Sequence, residues 1–349
     1  MTVSSISTRA LSESMRLALL KTQNALSTAQ KEATTGRLAD VGVGLGFRAG
    51  QTVSLRNEFA RLTAISDTNA IAAARLKATQ AALEGLTDDA EAFLGALLGA
   101  RDSSNGPEIL ASEARARLAS LISAINTAVD GTYLFGGINT EKTPLANYFS
   151  EPPPASRQAV NDAFFSTFGV NQSDPAVANI AAADLQGFLD GAFAALFEKP
   201  AWSANWSMAS DTNVKSRISI GETIETSSNA NESAIRKLAS AYVMLADLGG
   251  ENLNTAAFQA LVDTAVRTTA LAIQELTSLR AKTGVAQERI ELANERMMIQ
   301  RNVLSQHIVD LEGVDQYEAS VRVTSLLTQL ETAYALTARL RDMSILHYL

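Results

Sequence analysis

Cysteine is absent from the 349-residue chain, which excludes disulfides, thiolate catalysis and cysteine-based zinc or iron-sulfur sites. The two histidines, His307 and His347, lie far apart without metal-ligand spacing, so metal chemistry would need carboxylates alone. Aromatic residues make up only 6%. Alanine, leucine, serine and threonine take their place, a composition suited to close helix contacts rather than one thick core. Basic residues are outnumbered, giving a net charge of −8 and arguing against non-specific nucleic-acid binding. No run of 18 apolar residues exists, so no membrane span is expected. Arg9, Glu13 and Arg16 interrupt the opening segment, so no cleavable signal peptide is expected either.

Proline is confined to the middle. All seven, from Pro107 to Pro200, leave the first 106 and the last 149 residues without one, which predicts long helices at both ends. Both tryptophans (Trp202, Trp206) and eight of the twelve phenylalanines fall in the same middle stretch, predicting an aromatic-cored insert over about 140–212.

The helical ends carry heptads. Leu55, Leu62, Asn69, Leu76, Leu83, Ala90 and Leu97 are each seven apart, with Phe59, Ala73 and Leu94 beside them, the pattern of a long helix in a coiled-coil-like bundle. Asn69 interrupts the stripe and either fixes register from an inner position or faces solvent at a loose point. Met15, Leu19, Thr22, Leu26, Ala29 and Ala33 form a second seam, and Ala319, Val323, Leu326, Leu330, Ala333, Thr337 and Leu340 a third. Each is narrow and needs a partner helix. The phase slips by one residue between Leu311 and Ala319, where Gly313 falls, predicting a joint between two helical regions.

Gly36–Gly50 carries five glycines and reads as a flexible joint between rods. Ser103–Pro107 turns into a third helix over about 108–130, ended by Asp130-Gly131. Val214–Thr226 alternates β-branched and polar residues around Gly221 and reads as a short hairpin. Helices are expected over about 230–247 and 254–312.

Catalytic signals fail on inspection. Gly42, Gly44 and Gly46 do not form a nucleotide loop, because Phe47 stands where GxGxxG needs glycine and a helix precedes them. Asp88, Asp89 and Glu91 sit on one continuous helix and read as a solvated face, without calcium-loop spacing. Trp202 and Trp206 read as core. No nucleophile, base and orienter can be assembled, and the chain is read as a non-enzyme without cofactors.

Thr34-Thr35-Gly36-Arg37-Leu38 closing an amphipathic helix, followed by the Leu55–Leu97 heptads, resembles the N-terminal region of bacterial flagellins. Gly284–Ile290, Asp315–Ala319 and Leu326, Leu330 and Tyr334-Ala335-Leu336 resemble their C-terminal region. Gly131–Gly137 (GTYLFGG), Thr143-Pro144 and the ending Ser344–Leu349 are similar to the hook-associated members at the hook-filament junction. Where many relatives carry Asp-Asp-Pro after the first helix, this chain has Val41–Gly46 (VGVGLG).

The resemblance implies a mainly α, elongated flagellin-like helical bundle with paired terminal coiled-coil helices and a smaller central α/β or β-containing insert. The division read from the sequence is 1–40 plus 313–349 as a terminal assembly region, 41–139 plus 213–312 as the rod, and 140–212 as the outer insert. Assembly contacts are expected at Met15, Leu19, Leu26, Ala29, Val323, Leu326, Leu330, Ala333 and Leu340, with Asn69 setting bundle register. The implied role is a structural adaptor, exported through the flagellar type III apparatus and residing outside the cell at the junction. The implied partners are the first junction protein below, flagellin above, further copies in a ring or short layer, and an export chaperone. Filament-forming flagellin is the alternative.

Overall fold

The computed structural model describes residues 3–342, with side chains from 10 to 339. The chain divides into two compact units, one formed by the residues up to Ala64 with those from Arg296 on, the other by Ile65–Glu295.

The first unit holds α1 (Val3–Thr35), α2 (Val41–Leu45), the beginning of α3 (Ala49–Ala100), the end of α10 (Thr255–Glu312) and α11 (Gln316–Asp342). The phase slip read at Gly313 is a real break, since α10 ends at Glu312 and α11 starts three residues after Gly313. With no proline between them, α3 and α10 run for 52 and 58 residues.

The second unit is built around the rest of α3 and α10. Gly106-Pro107 starts α4 (Gly106–Ile125), proline being tolerated in the first helical turn because its missing N–H would be unpaired there. A Cβ on Gly106 would lie 2.1 Å from the Ala100 carbonyl oxygen, so only glycine allows this tight reversal out of α3. Helix α4 packs on α9 (Ser233–Asp247), whose residues from Ala234 to Ala246 are nearly all buried. The α3 stripe Leu83, Ala90 and Leu97 meets Leu110, Ala114 and Leu118 of α4, Leu238 and Tyr242 of α9, and Leu261, Ala265 and Leu276 of α10 in one core. Its alanines Ala90, Ala114 and Ala265 are fully buried among these larger side chains.

Two small antiparallel ladders flank the central stretch. Strands β1 (Ala128–Val129) and β2 (Thr132–Tyr133) pair around Asp130 and Gly131, whose φ values of 51° and 75° make the two-residue turn that a right-handed hairpin favours. The third helix therefore ends at Ile125, not near 130. Asp130-Gly131 turns a hairpin here rather than stopping a helix. Strands β3 (Lys215–Arg217) and β4 (Thr223–Glu225) pair as the alternation predicted. Ile218 and Ile224 pack with Ala72, Leu76, Ile290 and Ala293 in a second cluster.

Between the ladders the chain is helical, through α5 (Ala155–Phe168), α6 (Ala182–Phe188), a π-turn over Leu189–Phe193, α7 (Ala194–Leu196) and α8 (Lys199–Asn205). Its aromatics form a continuous run, with Trp202 and Trp206 stacked at 5.0 Å and Tyr148 stacked on Trp206 at 5.1 Å. The Trp202 Nε1–H donates to Asn231 Oδ1 at 3.1 Å, and the Tyr148 hydroxyl donates to Asp247 Oδ2 at 2.8 Å. Burial, together with the Asp247 carboxylate, pushes the Tyr148 phenol far up. These aromatics join the helical core of the same unit rather than closing a core of their own.

Candidate assembly surface

Helices α1 and α11 pack along each other in antiparallel sense. The sense follows from their cross-contacts. Gln23 Nε2 donates to the Tyr334 hydroxyl at 2.8 Å, and Glu32 pairs with Arg322 at 3.5 Å, one helix ascending as the other descends. Leu26, Ala29 and Ala319 are buried, while Met15, Leu19, Val323, Leu326, Leu330 and Ala333 are half-buried. Thus the 4-3 spacing gives each helix its covered face, and the two seams serve each other within a single chain. The side chain of Leu340, like all of Ser344–Leu349, lies outside the described residues.

Outside that seam the pair carries apolar side chains that nothing in the chain covers well. Leu17 is 57% exposed and Val321 54%, and Leu11, Leu20, Leu327 and Tyr334 are also exposed. Apart from Tyr334, named in the C-terminal resemblance, sequence reasoning did not single these residues out. The available signal was Leu17 and Leu20, one helical turn apart and off the seam phase, which an isolated pair has no reason to keep apolar.

The glycine-rich segment after α1 is folded rather than an open joint. Arg37 bridges Gly313, Leu38 N–H donates to the Glu312 carbonyl at 2.8 Å, and Val314 N–H donates to the Gly36 carbonyl at 3.0 Å. Asp40 caps α2, accepting from Val43 N–H at 3.0 Å, which satisfies an otherwise orphaned donor of the first turn. Gly44 fits because a Cβ there would press to 2.8 Å from the Leu38 side chain. The break in α10 supplies the partner carbonyl, a long-range contact that local glycine content could not announce.

Glu312 seals this joint. Its side chain is fully buried and its carboxylate binds the Arg56 guanidinium through two hydrogen bonds. The hydrogen bond to Glu312 raises Arg56 above its usual value despite some desolvation. Beside it lies a largely apolar cavity of about 280 Å³, lined by Arg37, Arg56, Phe59, Ser305 and Ile308. Val43 and Phe47 project away from all cover, 83% and 96% exposed.

Residues 6–140 match the bacterial flagellin N-terminal helical region, and residues 266–349 match the bacterial flagellin C-terminal helical region. Together they span well over half of the chain, at its two ends and in the family's order. The chain belongs to the bacterial flagellin family. No curated protein matches it significantly in sequence. Among solved structures it is similar to that of a proposed flagellar hook-associated protein from Vibrio parahaemolyticus, at a TM-score of 0.51 and 11% identity, covering 76% of this chain and 97% of that one. At that identity the likeness establishes a shared fold. The chain is thus a structural protein of the flagellum with a helical, flagellin-like fold, and this family is structural rather than enzymatic.

The remaining sequence candidates fall into the framework of this flagellin-family chain. Asn69 is fully buried, which removes the solvent-facing alternative. Asp89 is not simply solvated. It accepts a hydrogen bond from the Ser120 hydroxyl at 3.1 Å and pairs with Arg117 at 3.5 Å, tying α3 to α4. His307 is exposed on α10, and His347 lies outside the described residues. Among the described residues no three His, Asp or Glu side chains are placed to hold a metal ion, and no helix is long and apolar enough to cross a membrane.

Proposed function

We propose that this flagellin-family chain is an adaptor of the hook-associated protein 3 kind, joining the first junction protein below to filament flagellin above. The observation that carries the reading is the set of exposed apolar side chains on the α1–α11 pair, Leu17, Leu20 and Val321 among them, which remain uncovered although the two helices already pack on each other. The GTYLFGG stretch favours the junction over the filament, as does the fold shared with the proposed flagellar hook-associated protein from Vibrio parahaemolyticus.

On this reading, 1–40 with 313–349 is the assembly region, 41–139 with 213–312 the rod, and 140–212 the insert. Met15, Leu19, Leu26, Ala29, Val323, Leu326, Leu330, Ala333 and Leu340 hold the terminal pair in its assembling form, and Asn69 sets the register of the bundle. The chain is exported through the flagellar type III apparatus with a chaperone and resides at the junction, in a ring or short layer. Filament-forming flagellin remains the second reading, because any member with these termini can join a lattice.

Self-continuation separates the two. A filament subunit must accept its own copy end to end without limit, whereas an adaptor presents different surfaces above and below. Purified protein added to hook ends bearing the first junction protein is expected to form one short layer and stop, after which flagellin elongates from it. Long filaments of this protein alone, seen by electron microscopy, would refute the adaptor reading.

A further inference from the structure

Phe47 is among the most exposed large apolar side chains of the described residues, and the first unit also holds a largely apolar cavity of about 280 Å³ floored by Phe59 and Ile308. We propose that these two features are the halves of one contact between copies of this chain, with Phe47 of one copy seated in the Phe59–Ile308 cavity of the next.

Size and chemistry fit. An apolar cavity of roughly 150 Å³ suffices to take a benzene molecule, and this one offers about 280 Å³, enough for a phenyl ring and its methylene. Ile308 is buried and Phe59 half-buried, whereas Arg37, Arg56 and Ser305 are exposed, so the apolar part lies deepest and the polar groups stand outward. Guanidinium groups attract the face of an aromatic ring. Arg56 keeps its position through Glu312, and among the described residues no carboxylate pairs with the Arg37 guanidinium, which leaves it free to meet the incoming ring.

The same chain cannot fill its own cavity. Phe47 lies two residues before α3 and Phe59 ten residues into that helix. At about 1.5 Å per residue the twelve-residue separation is roughly 18 Å along the axis, beyond the reach of a phenylalanine side chain. The knob and the hole therefore meet only in different copies. Because they are different patches of one surface, the contact is head-to-tail and repeats from copy to copy, which suits neighbours within a layer. Phe47 is held out for this by its surroundings: Asp40 caps the helix before it, Leu45 is buried, and Gly46 adopts a φ of 54° that turns the chain.

The inference rests on membership of an assembling family and not on the adaptor reading, since a filament subunit could use the same contact. It is tested in the full-length chain, whose lack of native cysteine makes engineered disulfides unambiguous. Phe47→Cys and Ser305→Cys, introduced together, are expected to give a ladder of dimers and higher species when assembled layers on hook ends are oxidised, while each single variant stays monomeric. A fast-migrating monomer from an internal bridge, dimers of Phe47→Cys alone, or bridges absent from layers shown to be assembled would each overturn it, whereas loss of the layer in the double variant is what removal of the Phe47 ring predicts and supports it together with the Phe47→Ala measurement. In parallel, Phe47→Ala is expected to melt with the parent while weakening self-association, measured by sedimentation, roughly 10- to 100-fold. Unchanged self-association would overturn the proposal without bearing on whether the protein is an adaptor.

Discussion

The side-chain amide of Asn69 donates to Asn294 Oδ1 at 2.8 Å and to the Ile218 carbonyl at 2.9 Å, so a single residue ties α3 to α10 and to the loop after β3. It stands in the heptad position that Leu62 and Leu76 occupy one turn of the repeat away, and like them it is buried. Asn69→Ala leaves the Ile218 carbonyl and the Asn294 side chain without their donor, and the expected cost is about 1–3 kcal/mol. Asn69→Leu restores volume but not the donor, so it is expected to remain less stable than the parent in urea unfolding. If the leucine variant equals or exceeds the parent, Asn69 acts only as filler.

Gly137, in the GTYLFGG stretch, is required by the backbone around it. Its φ is 61°, and a Cβ would lie 2.4 Å from the Ser210 carbonyl oxygen and 2.7 Å from that of Thr212. Gly137→Ala is expected to destabilise the fold by about 2–4 kcal/mol through strain and the displaced 210–212 segment. Gly85 sits within α3 with open space around it, so Gly85→Ala is expected to stabilise by about 0.5–1 kcal/mol. Thermal melts of the two variants shifted in opposite directions would confirm both placements.

Arg101 holds Asp263 with two hydrogen bonds of 2.6 and 2.8 Å, linking the end of α3 to α10. That hydrogen bonding lowers the Asp263 pKa below its ordinary 3.8. A depressed folded-state pKa means that the contribution is present above the unfolded value and is lost as pH falls through the folded one. Asp263→Asn is therefore expected to lower Tm by about 1–2 °C at pH 7, the effect being small because the pair is partly solvated. Below pH 3.8 the gap between the variant and the parent should close. A gap independent of pH would assign the loss to packing instead.

Much of this architecture was legible because long helices announce themselves through repetition. Leu62, Leu76, Leu83, Ala90 and Leu97 are buried in the phase their spacing gave, and the slip at Gly313 marks a true break. What stayed hidden depends on contacts distant in sequence. The Gly36–Gly50 glycines look flexible in isolation, yet the backbone from Glu312 to Val314 ties down Gly36–Leu38 and the Asp40 cap folds the next residues into α2. Asp130-Gly131 can either stop a helix or turn a hairpin, and the pairing of Ala128 with Tyr133, continued by Leu134 N–H donating to the Thr127 carbonyl at 3.0 Å, settles the latter. The exposed Phe47 and the buried Glu312 reverse the usual preferences of their residue types, so composition could only mislead about both.

The two terminal helices and the α3 core should respond differently to the same change. Leu76 is 2% exposed and packs against Ile218, Ile224 and Ile290, so Leu76→Asp buries an unpaired carboxylate among apolar neighbours. The expected cost is about 3–5 kcal/mol, a large part of a typical domain's stability, and the protein should unfold or melt far below the parent. Leu330 is half-buried in the α1–α11 seam, where a carboxylate keeps access to water. Leu330→Asp should loosen that pair while leaving Ile65–Glu295 folded, because its core draws no residue from α11. Melting followed by circular dichroism should therefore show a near-parental main transition for Leu330→Asp and a lost or strongly lowered one for Leu76→Asp. On hook ends, Leu330→Asp should fail to form a layer although it is folded. If the two variants melt alike, the seam belongs to the permanent core and α11 is not a separable assembly element.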